Sequence, residues 1–119
     1  MAHVLIIDDE PELRTMLRNT LESRGHDIEE ASDGEEALVK CWTTSFDVVI
    51  TDIKMPNLSG LSVISKLSRE HPRTKIIAIT GYDSSLLYQA QAIGASMTFT
   101  KPFSMVDIVD AVHVLSTSP

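Results

Sequence analysis

In DVVITDIKMP, residues Asp47 to Pro56, the four positions Val48 to Thr51 are apolar or β-branched without a break. A short continuous run of this kind is the mark of a strand covered on both faces rather than on one. It ends on a bare carboxylate, Asp52, and Pro56 four residues later forbids a simple continuation of regular structure. The chain therefore drives a strand through the core and leaves an acid at its carboxyl end, which in an open parallel α/β sheet is where ligands bind. Alone, Asp52 reads equally well as turn punctuation or a helix cap, so the neighbouring segments decide.

Upstream, Val4–Ile7 is a second apolar run, followed by Asp8, Asp9 and Glu10, and Pro11 suits the first turn of a helix. Leu13, Met16, Leu17 and Leu21 then recur at helical spacing up to Gly25, a natural stop. Asp27–Glu30 has one strongly apolar residue, Ile28, and reads as an edge strand only through its position between two helices. Ser32 with Glu35, or Asp33 with Glu36, forms a capping box opening a helix with Ala37, Leu38, Cys41 and Trp42 on one face. Downstream of Pro56, Ser59 caps a helix running to about Glu70, with Leu61, Ile64 and Leu67 inward and Pro72 preventing its continuation. Lys75–Ile79 is another continuous strand, ending at Thr80 and Gly81, and Asp83 caps a helix through Ile93 with Gly94 as its stop. Met97–Thr100 makes a fifth strand ended by Lys101-Pro102. Ser104 and Asp107 open a last helix with Met105, Ile108, Val109, Val112 and Leu115 inward, and the tail 116–119 reads as frayed. Five strand–helix repeats with short connections imply a doubly wound parallel sheet with five helices covering both faces, in one domain over residues 1–119. A closed eightfold barrel needs about twice the chain.

Composition narrows the function. A hydrophobic content of 43% can fill a core, and 17 acidic against 10 scattered basic residues, a net charge of -7, disfavours direct nucleic-acid binding. Cys41 is the only cysteine, which rules out an intramolecular disulfide and a cysteine metal cluster and leaves inert packing as its role. MAHVLIIDDE lacks the basic start and long apolar region of a signal peptide, and no stretch approaches the ~20 apolar residues of a membrane span. The expectation is a cytoplasmic protein with no membrane partner. His3, His26, His71 and His113 are dispersed and read as surface or packing residues rather than ligands.

The chemistry gathers at the strand ends. Asp8-Asp9, Asp52, Thr80 and Lys101 each follow an apolar run directly, so all fall on one rim of a parallel sheet. Three carboxylates brought together repel, and protonation or a cation must relieve them. With no histidine or cysteine near, a hard, oxygen-liking cation fits, and Mg²⁺, which keeps several waters and accepts a phosphate oxygen, is the natural choice. Lys101 would neutralise phosphoryl oxygens as a point charge, Thr80 would donate a hydrogen bond, and a carboxylate can accept the phosphoryl group as nucleophile.

Over nearly its whole length the chain resembles the receiver domain of two-component response regulators. The matching stretches are IIDDEP at Ile6–Pro11, TDIKMP at Thr51–Pro56, AIT at Ala78–Thr80, GA at Gly94–Ala95 and TKPF at Thr100–Phe103. Each is weak alone; in this order and at these separations the set is specific. The resemblance implies a flavodoxin-like sheet in the order 2-1-3-4-5 and a phosphoryl group taken from a phosphohistidine on a sensor kinase or phosphotransfer protein. Asp52 would be the phosphoacceptor and a Mg²⁺ ligand, Asp9 a direct ligand, Asp8 a ligand mostly through water, and the Lys54 backbone carbonyl a further ligand, with Pro56 helping to hold its loop. Thr80 and Lys101 would bind the phosphoryl group, and the Lys101-Pro102 bond would be cis. Such a module is not an enzyme beyond catalysing its own phosphorylation and dephosphorylation. A face formed by residues 83–116 would meet a downstream effector.

One position departs from the family pattern. Three residues before the strand-five lysine the family usually carries an aromatic side chain that swings inward, and here Thr98 stands in its place, so the readout through this face is left open. Tyr82 and Tyr88 read either as partner contacts or as ordinary exposed aromatics. Lys54 and Tyr82, each two residues beyond a site residue, are expected to tune the lifetime of the phosphoryl group. Two other readings stay in play: a receiver-like interaction module that never takes phosphate, and a haloacid-dehalogenase-like phosphatase, which wants a D-x-D pattern where this chain has Asp8-Asp9-Glu10.

Overall fold

The computed structural model describes residues 1–55, 57–81 and 84–117, the Ser84 side chain excepted. Every apolar run becomes a strand and every strand is followed by a helix: β1 (His3–Ile7), α1 (Pro11–Glu22), β2 (Asp27–Ala31), α2 (Gly34–Thr43), β3 (Val48–Asp52), α3 (Gly60–Glu70), β4 (Lys75–Thr80), α4 (Ser84–Ile93), β5 (Met97–Thr100) and α5 (Met105–Ser116). All four strand pairings are parallel and the order is β2-β1-β3-β4-β5. This is the doubly wound parallel sheet that the strand–helix alternation predicts, in the flavodoxin-like order that the resemblance implies, with the acidic segment Asp27–Ala31 at one edge. Among the described residues no helix is long and apolar enough to cross a membrane.

β3 is buried at all five positions because it lies between β1 and β4 and both its faces are covered. Its pleat feeds two separate cores. Val48 and Ile50 join Val4, Ile6, Ile77 and Ile79 in a cluster closed by Leu17 and Leu21 of α1 and by Ile108, Val109, Val112 and Leu115 of α5. Val49 joins Leu5, Ile7, Ile76 and Ala78 in the other, closed by Ala37 and Cys41 of α2, by Val63, Ile64 and Leu67 of α3 and by Ala90 of α4. Each fully buried aliphatic side chain contributes about 1.5–3 kcal/mol of transfer free energy. Slipping one strand by one residue would exchange its two sets of side chains, so the register is firmly set.

The helix ends follow their local chemistry. Asp33 caps α2 by accepting the Glu36 N–H at 2.9 Å, and the Glu36 carboxylate returns to the Ser32 N–H at 2.6 Å. Ser59 caps α3 and Ser104 caps α5, accepting the N–H groups of Ser62 and Val106. Gly25 and Gly94 both take positive φ, as the stops of α1 and α4 require. The expected cap of α4, Asp83, lies outside the described residues. His26 is buried, its Nδ1 accepting the Ala2 N–H at 3.0 Å, a packing role as its isolation predicts.

Two side chains expected inward face solvent. Trp42 is 80% exposed and Met16 54% exposed. On α2 the buried stripe is Gly34, Ala37 and Cys41, close enough to α3 that a Cβ added to Gly34 would stand 2.7 Å from Val63 Cγ2, and Trp42, next to Cys41, is turned about 100° away from it. On α1 the buried stripe passes through Leu17 and Leu21, and Met16, one residue earlier, is turned about 100° away from it.

Gly60 is the point at which α3 is pressed against the site strand. Its N–H donates to the Ile53 carbonyl at 2.8 Å, and a Cβ there would stand 2.6 Å from Ile53 Cα and collide with the Asp52 carbonyl oxygen. Gly60→Ala is expected to cost about 1–3 kcal/mol in urea unfolding. Gly81→Ala, at a glycine with no described atom within 4 Å of an added Cβ, should stay within about 0.5 kcal/mol of wild type.

Candidate functional site at the carboxyl ends of the strands

Parallel pairing puts the ends of β1, β3, β4 and β5 on one rim, and strand alternation sorts their side chains between the two faces. Asp8 and Asp52 continue the parity of Ile6 and Ile50, on the α1/α5 side. Lys101 continues the parity of Met97 and Phe99, which pack against that same cluster. Thr80 continues the parity of Ala78 and belongs to the opposite side, with α2, α3 and α4.

The Lys101 ammonium stands 2.8 Å from Glu10 Oε1, 3.2 Å from Asp52 Oδ2 and 3.4 Å from Asp8 Oδ2. Oxygens of Asp8, Glu10 and Asp52 all lie within 4.8 Å of one another. Asp8 and Asp52 are buried and Glu10 is exposed. Asp8 Oδ1 accepts the Glu10 N–H at 2.8 Å, and Asp52 Oδ1 accepts the Lys54 N–H at 3.3 Å, which curls the loop after β3 back over the carboxylate. The Lys54 side chain is exposed; Pro56 and Tyr82, assigned roles beside this loop and beyond Thr80, lie outside the described residues. A crevice of about 380 Å³ lined by Glu10, Lys54, Gly81, Lys101 and Pro102 opens above the acids. The Lys101-Pro102 bond is cis, and the Lys101 N–H donates to the Thr80 carbonyl at 2.8 Å.

Three carboxylates share one ammonium, and the electrostatics register the excess. Burial, reinforced by the charge of Asp52, pushes the Asp8 carboxyl up to about 6 against the Glu10 N–H and Lys101, which pull it down. Burial also raises Asp52; Lys101 and the Lys54 N–H oppose the rise, and the charge of Asp9 adds to it. Burial works against the charge of Lys101, yet Glu10, Asp8 and Asp52 hold its pKa above the ordinary lysine value. The missing positive charge and the all-oxygen donor set are what a hard divalent cation such as Mg²⁺ satisfies. The Thr80 hydroxyl is fully buried and has no hydrogen-bond partner among the described residues.

Asp8, Asp52 and Lys101 are thus brought together as their motifs predict. Asp9 is exposed and lies outside the group of three acids, although its charge reaches Asp52. Glu10 belongs to the cluster and was not singled out from the sequence. It occupies the cap position of α1 without making a side-chain cap, its carboxylate bonding Lys101 instead. The third acid of the run Asp8-Asp9-Glu10 was the available signal.

The sequence pattern of the response regulator receiver domain matches residues 4–113. The chain belongs to the response regulator receiver family. The receiver is 36% identical over 102 residues to the alkaline phosphatase synthesis transcriptional regulatory protein PhoP of Bacillus subtilis, covering 85% of this chain and 42% of PhoP. It is 34% identical over 107 residues to the transcriptional regulatory protein TrcR of Mycobacterium tuberculosis, covering 89% of this chain and 42% of TrcR. The chain therefore spans less than half the length of these curated relatives. Among solved structures, response regulator TrrA of Thermotoga maritima, in complex with Mg²⁺-BeF, superposes with a TM-score of 0.88 at 34% identity, covering 97% of this chain and 99% of that one. The receiver domain of Francisella response regulator 1452 gives 0.91 at 30% identity, covering 98% and 97%. Receivers are regulatory modules rather than classical enzymes, and the acidic pocket fits the Mg²⁺ that the family uses.

The Asp8 carboxyl titrates near 6 in the fold against an ordinary value of 3.8, so folding takes up a proton between these values. The cost of its charge is complete above pH 6, shrinks as pH falls and is gone below 3.8. In the absence of divalent cations, Asp8→Asn should raise the melting temperature at pH 7.5 by about 4 °C or more. The gain should be much smaller at pH 4.5, and scanning calorimetry at the two pH values checks the difference.

Proposed function

We propose that this receiver takes a phosphoryl group onto Asp52 from a phosphohistidine on a sensor kinase or phosphotransfer protein. The observation that carries this reading is the Asp52 carboxylate at the end of the central strand, buried, bonded to the Lys54 N–H, and sharing the one Lys101 ammonium with Asp8 and Glu10 beside a crevice that Glu10 and Lys101 also line. An Asp52 oxygen attacks phosphorus in line, the phosphorus–nitrogen bond of the donor breaks, and the imidazole departs with the electron pair, leaving an acyl phosphate. Asp8, Asp9, Asp52 and the Lys54 backbone carbonyl are the proposed Mg²⁺ ligands, with Glu10 beside them. Mg²⁺, when bound, supplies positive charge against which the phosphoryl oxygens can approach three carboxylates. Lys101 would exchange carboxylate partners for the incoming phosphoryl oxygens, and Thr80 would donate its unpartnered hydroxyl to the same group. Beyond its own phosphorylation and dephosphorylation no turnover is proposed.

The output surface is proposed to be the face formed by residues 83–116. Tyr88 is exposed on α4, and Leu87, Tyr88, Gln91 and Thr98 line a groove of about 210 Å³ between α4 and β5. Thr98 lies on the same side of β5 as Thr80 does of β4, so movement of the Thr80 hydroxyl is transmitted, on this reading, to a groove that lacks the family's aromatic side chain. The receiver is proposed to act in the cytoplasm, to engage a protein effector rather than nucleic acid directly, and to function as one domain.

With Mg²⁺ and beryllofluoride, a phosphoryl mimic, wild type should form a complex that perturbs Thr80 and Lys101 amide resonances. Asp52→Asn should show no such change; an unaltered response in that variant would remove Asp52 from the role. Phosphoryl uptake from a phosphoramidate donor should be about a hundredfold slower in Lys101→Met, measured by phosphoprotein mass spectrometry. Lys54→Ala should alter the decay rate of the acyl phosphate, and equal lifetimes would show that Lys54 does not tune it.

A further inference from the structure

Asp8 is engaged at every polar atom. Its N–H donates to Ala31 O at 3.2 Å, Oδ1 accepts the Glu10 N–H at 2.8 Å, and Oδ2 lies 3.4 Å from Lys101 Nζ. The fourth atom, the Asp8 carbonyl oxygen, accepts from Arg14 Nη1, a group that lines neither the crevice nor the acidic cluster. The same guanidinium uses Nε to bond Glu30 Oε1 at 3.2 Å on the edge strand. Arg18, one turn further along α1, bonds the other Glu30 oxygen at 2.8 Å and also Glu22, and none of its hydrogen bonds is to Asp8.

We propose that Arg14 is a positioning residue for the cation site, its planar fork fixing the Asp8 carbonyl to Glu30 of β2 so that Asp8 and Asp9 stand in place before a cation arrives. The inference rests on the Mg²⁺ reading above. Asp8 is the first residue beyond β1, so no further sheet pairing sets the orientation of the peptide that follows it. That peptide is planar, and holding its carbonyl oxygen also holds the N–H and Cα of Asp9. One guanidinium can satisfy a carbonyl and a carboxylate together in a rigid geometry, which a flexible ammonium cannot reproduce. Arg14 is 17% exposed at its side chain against 40% for Arg18, so its two bonds are the better shielded from water. Partners of this outer kind usually matter about 10–100-fold to metal affinity.

Charge alone predicts the opposite sign, since neutralising a nearby cation favours a divalent ion. Isothermal titration of the full chain with Mg²⁺, together with melting temperatures, separates the two. Arg14→Gln should raise the Mg²⁺ dissociation constant about tenfold or more, and Arg14→Lys, which keeps the charge and loses the fork, should raise it severalfold. Arg18→Gln, which also removes a partner of Glu30, should leave it within about twofold of wild type while lowering the melting temperature comparably. An Arg14→Gln protein that melts lower but binds Mg²⁺ as wild type does would make Arg14 purely structural and overturn the inference, as would full affinity in Arg14→Lys or equal losses in the two Gln variants. Absence of Mg²⁺ binding by wild type overturns the cation reading and this inference together.

Discussion

The Lys101 ammonium sits among three carboxylates contributed by the ends of β1 and β3 and by the start of α1, and the site is built around that imbalance. Buried like charges repel, and a single lysine offsets only part of their mutual cost. Burial, with a smaller addition from neighbouring acids, raises the pKa of Asp8 and of Asp52, and the shared ammonium leaves room for further positive charge. A group that brings a divalent cation and a phosphoryl anion together uses that room, so the strain of the resting site is the basis of its proposed chemistry. Lys101 reaches the acids from the far edge of the sheet, across the end of β4, and its backbone stays bonded to Thr80 as it does so.

The pleat divides the site between the two faces of the sheet. Asp8, Asp52 and Lys101 share the parity of the α1/α5 core, whereas Thr80 and Thr98 share the parity of the α4 side. Charge is thereby gathered on one side of the rim, and the Thr80 hydroxyl, without a hydrogen-bond partner among the described residues, lies on the other. Any event that draws the Thr80 hydroxyl toward Asp52 must cross from one face to the other, and β4 with the start of α4 is the part of the fold placed to feel it. With threonine at position 98, the groove beside Tyr88 is lined there by a smaller group than an aromatic would supply, so the readout proposed for this face would use backbone movement or Tyr88.

Close packing explains what the surface shows. α2 seats on Gly34, Ala37 and Cys41, the smallest residues of its stripe, because α3 lies near enough for a Cβ on Gly34 to meet Val63. Burial also pushes the Cys41 thiol up to about 11, consistent with inert packing. In the same first turn of α3, Gly60 lets the helix start against the backbone of Asp52 itself, so the phosphoacceptor candidate is held from behind by packing as well as from the front by charge.

The sequence by itself determined the alternation of strands and helices, the edge position of Asp27–Glu30, most caps, and the gathering of Asp8, Asp52 and Lys101 at one rim. These follow from local periodicity and from the rule that parallel strands present their carboxyl ends together. The tertiary structure alone decided that Glu10 joins the acids while Asp9 stays outside their group, that Thr80 has no hydrogen-bond partner among the described residues, that Arg14 reaches back to the Asp8 carbonyl, and that Trp42 and Met16 face water. Each of these depends on the distance between elements remote in sequence: Lys101 to Glu10 across the rim, α2 to α3 at Gly34, α1 to β2 at Glu30. Residue spacing specifies which face a side chain takes, but only the packed separation of two elements specifies which partner it meets.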